Sequence, residues 1–471
     1  MTEDDPSTAD YLIMGAGAVG MAFADSLLTH STASMVIVDR HHRPGGHWND
    51  AYPFVRLHQP ASFYGVSSRE LGSGVTDEVG LNKGFHELAS GQEVLSHFDL
   101  VMQQRFLASG RVRYFPMSEV GEDGSITSLL SGERRVVRPD KFVDATHSKM
   151  QVPSTHTPSY AIGAGITCVP LNKLPWVAPA HDTFVVIGAG KTGMDACIWL
   201  LQNGANPDAI RWIMPRDSWL VNRAGFQPGA EHFARTTKGV ADQVEAIAEA
   251  KTTDEVFARM EACGEYRRID PAVRPEAYHC AVVSDGELAQ LRRVRDIVRL
   301  GRVTRLDVDR IALERGTIPA DPGALYIDCS AAGIPNLPSK PVFDGDRITL
   351  QWVRVCQPTF SAALIGFVES TMSDELVKNQ ICNPIEPPTV PFDFLRMMKV
   401  ELANRQCWDE FSEIGDWRAS SRLDGGVAAQ LRSLTGTETE VMANLGRYVK
   451  NIKAARVNLE LLLADSDSGA R

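Results

Sequence analysis

The chain has 471 residues, 44% of them hydrophobic and 23% charged, a balance that excludes disorder as the default and suffices for two or three domains, each with its own core. Its formal net charge of -11 at pH 7 argues against a general nucleic-acid binder, whose affinity rests on an excess of Lys and Arg that releases counterions from phosphate. No apolar run is long enough to span a bilayer, and the N-terminal MTEDDPSTAD is acidic where a secretory signal would be basic, so a cytoplasmic protein without a membrane partner is expected.

In chain order, residues 1 to 9 read as a short disordered leader. Tyr11 to Met14 then reads as an apolar strand that runs into Gly15-Ala-Gly-Ala-Val-Gly20, followed by a helix over Met21 to Leu28 and a strand over Met35 to Val38 that ends at Asp39. Strand, glycine turn, helix, strand is the opening of a doubly wound parallel sheet. Lys141 to Thr146 reads as a buried strand. From about residue 180 the same grammar returns, with a strand over Thr183 to Ile187, the turn Gly188-Ala-Gly-Lys-Thr-Gly193, a helix over Met194 to Gln202 and a strand over Ile210 to Met214.

Residues 230 to 301 are charged and predicted helix-rich, with Glu245 to Glu249, Asp254 to Glu261 and Glu287 to Leu300 as the clearest segments. They are placed as an insertion. Ala324 to Cys329, followed by Ser-Ala-Ala-Gly333, mirrors the Lys141 to Thr146 strand. Ile348 to Val355 and Ala363 to Phe367 read as strands, Asp374 to Ile381 as a helix, and Phe392 to about Ala464 as a helical tail. The eight cysteines are far apart and form no C-x-x-C pair, so they are expected to be reduced and mostly buried in cores.

The first glycine motif needs each of its glycines for a separate reason: Gly15 for the tight turn, Gly17 for close approach of backbone to pyrophosphate, Gly20 for close helix packing. Ala18 and Val19 then present helix N-terminal amides to the phosphates. Asp39, with Arg40 beside it, ends the second strand where a carboxylate accepts ribose hydroxyls. In the second motif, Gly188, Gly190, Lys191, Thr192 and Gly193 offer the same cradle, but no acid ends the following strand. Arg211, Arg216 and Arg223 cluster there instead, which suits a 2'-phosphate and points to NADPH, with Arg216 first. Two dinucleotide sites in one chain imply two redox cofactors that meet, and hydride transfer from nicotinamide to flavin is the economical chemistry.

Taken together with Gly45-Gly46-His47-Trp48, which is similar to a G-G-x-W element, these motifs resemble the class B flavoprotein monooxygenases over roughly residues 10 to 390. The segments ending at Thr146 and Gly333 resemble that family's returns between its two domains. The resemblance implies an α/β fold of two Rossmann-like dinucleotide-binding domains. A discontinuous FAD domain (1–175 and 321–391) receives an inserted NADPH domain (176–320, with a helical insertion at about 230–300), and a helical region spans 392–471. It implies FAD along the first domain, with Gly46, His47 and Trp48 beside its diphosphate and ribityl chain and Arg56 to Gln59 near its ring. His58 and Gln59 are then the candidates to hydrogen-bond a flavin peroxide or N5. Members of the family use NADPH and molecular oxygen to oxygenate small molecules at nitrogen, sulfur or carbonyl carbon through a C4a-(hydro)peroxyflavin, and are often homo-oligomers.

One departure stands out: residues 159 to 174, SYAIGAGITCVPLNKL, lack the family's F-x-G and following histidine, which marks a divergent branch. A flavin dehydrogenase or oxidase that does not insert oxygen, and a non-catalytic NADPH sensor, remain alternatives. His41, His42 and His47 are close in sequence but have no acidic spacing that suggests a metal, and no metal site is expected. Arg292, Arg295 and Arg299 recur at helical spacing and read mainly as a solvated face. Asp374 opens a helix whose N-terminus, by analogy with related two-domain flavoproteins, would face flavin N1 and O2.

Overall fold

The structure, a computed structural model, describes residues 8–335 and 337–469, with side chains to Ala464. Residues 1 to 7 of the expected leader lie outside the described residues, while Thr8 and Ala9 already belong to the first strand. The first part of the chain forms Thr8–Met14 (β1), Ala18–His30 (α1), Met35–Val38 (β2), Val112–Phe115 (β3) and Arg138–Asp144 (β4). Next come Cys168–Pro170 (β5), Phe184–Ile187 (β6), Lys191–Gln202 (α2), Ile210–Ile213 (β7) and Ser218–Asn222 (β8). Ala230–Glu249 (α3), Tyr266–Arg267 (β9), Ala277–Val283 (β10), Asp296–Val298 (β11) and Leu325–Asp328 (β12) follow. The chain continues through Phe343–Asp344 (β13), Arg347–Thr349 (β14), Pro358–Thr371 (α4), Glu375–Ile381 (α5), Pro391–Asp409 (α6) and Thr439–Gly469 (α7).

Two parallel sheets result. One has the order β13-β14-β4-β1-β2-β3, parallel except where β13 meets β14. The other has the order β11-β7-β6-β12-β5 and is parallel throughout. Their strands are covered on both faces and so read as unbroken apolar runs, as in β2 and β6, where every residue is buried. After contributing β5 to β7, β11 and β12 to the second sheet, the chain returns to the first through β14, which pairs with β4. A third, small sheet of order β9-β8-β10 supports a separate core in which α3, α6 and α7 meet around Phe257 and Phe394. No helix among the described residues is long and apolar enough to cross a membrane.

Four expectations are corrected here. Ala363 to Phe367 lies within α4 and is not a strand; Thr359 to Glu369 are all buried, and an apolar run covered on every side has no period that separates strand from helix. That helix crosses α1 so closely that a Cβ on Gly366 would lie 2.8 Å from the Phe23 carbonyl oxygen. The strand expected over Ile348 to Val355 ends at Thr349. The helix expected over Glu287 to Leu300 ends at Leu291, and the chain then enters β11, because pairing with β7 outweighs local helix propensity. Arg292, Arg295 and Arg299 therefore share no helix face, and Arg299 forks onto Asp217 at 2.8 and 3.1 Å. Finally, Cys280 and Cys356 form a disulfide with Cα atoms 6.4 Å apart and a sequence separation of 76. Such a pairing leaves no spacing signal.

The packing of α4 on the first sheet is fixed by one buried carboxylate. Glu369 accepts from Tyr11 Oη at 2.8 Å, Lys141 Nζ at 2.6 Å and Lys378 Nζ at 2.7 Å, joining α4, β1, β4 and α5. Burial pushes its carboxyl up, but the three donors together hold it below the ordinary value. Glu369→Ala would strand Lys378 in the interior and is expected to lower unfolding free energy by about 3 kcal/mol, measured by urea titration. Since the folded pKa lies below the unfolded one, the contribution is complete at neutral pH and is lost as pH falls through the folded value. The wild-type and variant stabilities should therefore converge in acid.

Candidate functional site

The first glycine turn is built from backbone contacts that leave no room for a side chain. A Cβ on Gly20 would sit 2.0 Å from Gly15 O, so α1 starts directly against the turn, and Gly15 itself has φ 106°. The loop carrying Gly46, at φ 55°, crosses above it with its own Cβ position 2.9 Å from Gly17 Cα. A cavity of about 540 Å³ opens at this crossing, lined by Gly15, Gly17, Ala18, Val19, Asp39, Arg40, Gly46, His47 and Thr146. Of the residues expected there, Gly20 lies beneath the turn rather than at the cavity wall, and Trp48 lines the second cavity instead.

Asp39 is buried at the end of β2. Its Oδ2 accepts from Ala16 N at 2.6 Å, and its Oδ1 accepts from His41 N at 2.8 Å and His41 Nδ1 at 2.9 Å. His41 Nε2 reaches Asp50 Oδ2 at 2.8 Å. The hydrogen bond to Asp39, joined by that to Asp50 and working against burial, raises the imidazole to about 9. His41 is thus a cation at neutral pH, clamped between two carboxylates.

A second cavity, of about 360 Å³, contains Trp48, His58, Gln59, Lys191, Thr192 and Gly333 in its wall. His58 Nδ1 accepts the backbone N–H of Val282 at 3.1 Å, which leaves the ring proton on Nε2. Burial first, and then the charges of Lys191 and Arg223, lower its pKa to about 3. At neutral pH His58 is therefore a neutral hydrogen-bond donor, and it cannot act as a base without first giving up that proton. Gln59 is held by Gln357, whose Nε2 donates to its Oε1 at 3.0 Å.

The second glycine turn repeats the packing of the first. A Cβ on Gly188 would lie 2.2 Å from Cys329 O and one on Gly193 would lie 2.2 Å from Gly188 O, while Gly190 faces open space. Lys191 Nζ pairs with Asp195, which also accepts from Tyr52 Oη at 2.5 Å. Of the arginines expected to bind phosphate, Arg216 is half-buried but lines neither cavity. Arg223 requires correction. It is fully buried, paired with Glu287 at 2.7 Å and bonded to His58 O at 3.2 Å and Asn82 Oδ1 at 3.1 Å. Those internal partners occupy the fork that a ligand phosphate would need.

The two cavities share a wall of His47, Tyr64, Met150, Ile334, Trp352 and Pro358. Apart from His47, sequence reasoning missed these residues, because none sits in a motif. Tyr64 accepts from Trp48 Nε1 at 2.8 Å, and its loop is gripped by Arg422, which donates to the carbonyls of Ser62, Tyr64 and Val66 at 2.7, 2.6 and 2.8 Å. Pro358 is the first residue of α4, a helix with no side-chain N-cap. The helix N-terminus at the shared wall is therefore that of α4. The one at Asp374 lines neither cavity.

No protein-family model matches the chain. It is 50% identical over 415 residues to the uncharacterized protein Rv2000 of Mycobacterium tuberculosis and to the uncharacterized protein Mb2023 of Mycobacterium bovis, covering 88% of this chain and 77% of each relative. The chain belongs to their family. Solved structures to which it is similar include an oxidized steroid monooxygenase bound to NADP, with a TM-score of 0.47 at 14% identity over 99% of this chain and 98% of that one. A flavin-containing monooxygenase from Stenotrophomonas maltophilia gives 0.41 at 16% over 75% and 89%. The polycyclic ketone monooxygenase of Thermothelomyces thermophila gives 0.45 at 11% over 100% and 90%.

The two histidines should separate in an NMR titration of ring carbon-bound protons. His58 is expected to stay neutral from pH 8 down to about 3, and His41 to lose its proton near 9. Because His58 is depressed, its contribution to stability is complete above its unfolded value and declines as pH falls toward 3. A His58 midpoint between pH 6 and 7 would show that its ring is not held as described.

Proposed function

We propose that the protein is an FAD-dependent oxidoreductase that takes hydride from NADPH and uses molecular oxygen to oxygenate a small molecule. The observation that carries this reading is the shared wall. A cavity over one glycine turn and a cavity reaching the other turn meet at Tyr64, Trp352 and Pro358, so two dinucleotides lying along their turns would bring their reactive rings together.

The residues present fit these groups. In the first cavity the backbones of Gly17 and Gly46 cross closely only because Gly46 carries no Cβ, which would lie 2.9 Å from Gly17 Cα; this bare crossing suits a diphosphate, and the amides that begin α1 favour its charge. Asp39, steadied by Ala16 N and His41, turns toward the same space as a ribose acceptor. Over the second turn, the open space at Gly190 suits a second diphosphate, and Arg216 is the remaining candidate for a 2'-phosphate. FAD, when bound, supplies a two-electron acceptor that can pass electrons to oxygen.

The chain supplies the rest. His58, neutral and with its proton on Nε2, is a donor in the wall of the second cavity, and Gln357 fixes the orientation of the Gln59 amide beside it. The uncapped N-terminus of α4 favours negative charge at the shared wall. Tyr64 and Trp352 give that wall aromatic surface, and Trp48 steadies Tyr64 by donating to its hydroxyl.

Stopped-flow mixing of flavin-loaded protein with NADPH or NADH, first without oxygen and then with it, tests the reading. Bleaching should be faster with NADPH, and readmitted oxygen should restore the oxidised spectrum only after a delay that shortens with substrate. Immediate return without a delay would favour a dehydrogenase or oxidase. Protein that neither retains nor rebinds flavin would overturn the reading in favour of a non-catalytic role. Arg216→Ala should weaken NADPH binding about tenfold, roughly 1.4 kcal/mol, and leave NADH unchanged; isothermal titration provides the measurement.

A further inference from the structure

The cysteines divide by environment. Cys197, Cys329, Cys382 and Cys407 are buried, and burial raises each thiol above its ordinary value. Cys280, in β10, and Cys356, just before α4, are bonded to each other instead, with a Cα separation of 6.4 Å that a disulfide accommodates. Both line the second cavity, on the same wall system as His58. Both also hold left-handed backbone, with φ of 54° and 53°, a conformation shared among the described non-glycine residues only with Met117 and Lys149. Backbone of that kind crowds a Cβ, persists only where its surroundings enforce it, and collects at functional sites.

We propose that Cys280–Cys356 is a thiol–disulfide exchange site for low-molecular-weight thiols that enter the second cavity. The proposal goes beyond the redox reading above and does not depend on it. The two sulfurs are not equivalent. Cys356 is partly exposed, whereas Cys280 is 6% exposed, so an entering thiolate reaches Cys356 first. Tyr278 Oη lies 3.8 Å from Cys280 Sγ and 3.0 Å from Tyr266 Oη. With Tyr266 donating to Tyr278, the Tyr278 hydroxyl proton is available to the sulfur that leaves.

In the first step a thiolate attacks Cys356 Sγ. A new S–S bond forms between the small thiol and Cys356, the bond to Cys280 breaks, and its electron pair departs on Cys280 as a thiolate facing Tyr278. A second thiolate then attacks the small-molecule sulfur of the mixed disulfide, releasing a symmetric disulfide and the Cys356 thiolate. The protons lost by the two thiols end on the two cysteines. Two thiols are oxidised to one disulfide and the protein disulfide is reduced to a dithiol, so the thiol itself is the reductant. Opening the bond also removes the covalent link between β10 and the segment that leads into α4, whose first residue lines both cavities.

The test equilibrates the folded full-length protein in cysteine–cystine buffers of increasing cysteine, without nicotinamide or oxygen. Acid quenching, unfolding and alkylation with N-ethylmaleimide follow, and peptide mass spectrometry locates the label. The labelled cysteines should rise from the six free ones to include Cys280 and Cys356 together. In Cys280→Ser the remaining Cys356 should capture cysteine from cystine at least tenfold faster than Cys280 does in Cys356→Ser. A pair that survives, in the folded wild-type protein, cysteine buffers that reduce it in urea would overturn the proposal. So would finding both residues already labelled in air-exposed protein, or equal capture by the two variants. The wild-type titration decides the matter if either variant does not fold.

Discussion

The arrangement depends on backbone touching backbone. At Gly20 against Gly15, and again at Gly193 against Gly188, a helix begins in contact with the turn that precedes it, at distances no Cβ tolerates. Each contact sets where the helix amides point, and therefore where an anion can be held. Gly46 against Gly17 adds a third approach, bringing the chain after β2 back over the first turn. That return places His47 in the shared wall and Trp48 in the second cavity, because both come directly after it. A single methyl group on Gly20, Gly46, Gly188 or Gly193 would have to move main chain rather than a rotamer.

Much of this was legible in the sequence. The glycine spacings, the flanking apolar runs and Asp39 located both turns and the strands that carry them, since a parallel strand buried on both faces has a direct sequence signature. Segments whose state depends on distant partners were not legible. Ala363 to Phe367 became helix because α1 lies along it, and Asp296 to Val298 became strand because β7 offered an edge. Neither partner is visible in a local window.

The site divides in the same way. His58, Gln59, Lys191 and Thr192 fall together in the second cavity, but the arginines at and after β7 do not act as one cluster. Arg223 turns inward to Glu287, and Arg211 is tied to Asp296 at 2.8 Å. Charge in sequence shows that a cation is present and not which way it faces. Tyr64, Trp352, Pro358 and the Cys280–Cys356 pair escaped because they are assembled from remote segments, and each is ordinary in its own neighbourhood.

Arg422 belongs to the helical region that carries no motif, yet it holds three alternate carbonyls of the loop at Ser62 to Val66, 360 residues earlier in the chain at its farthest contact. A contact of such separation closes late, because the loop entropy must be met before the bonds form. On a ribosome, the glycine turns and both parallel sheets can assemble while the Tyr64 loop is still loose. Arg422 can grip the Tyr64 loop only after it has itself emerged, so a nascent chain would possess both glycine turns well before the wall between its cavities is braced.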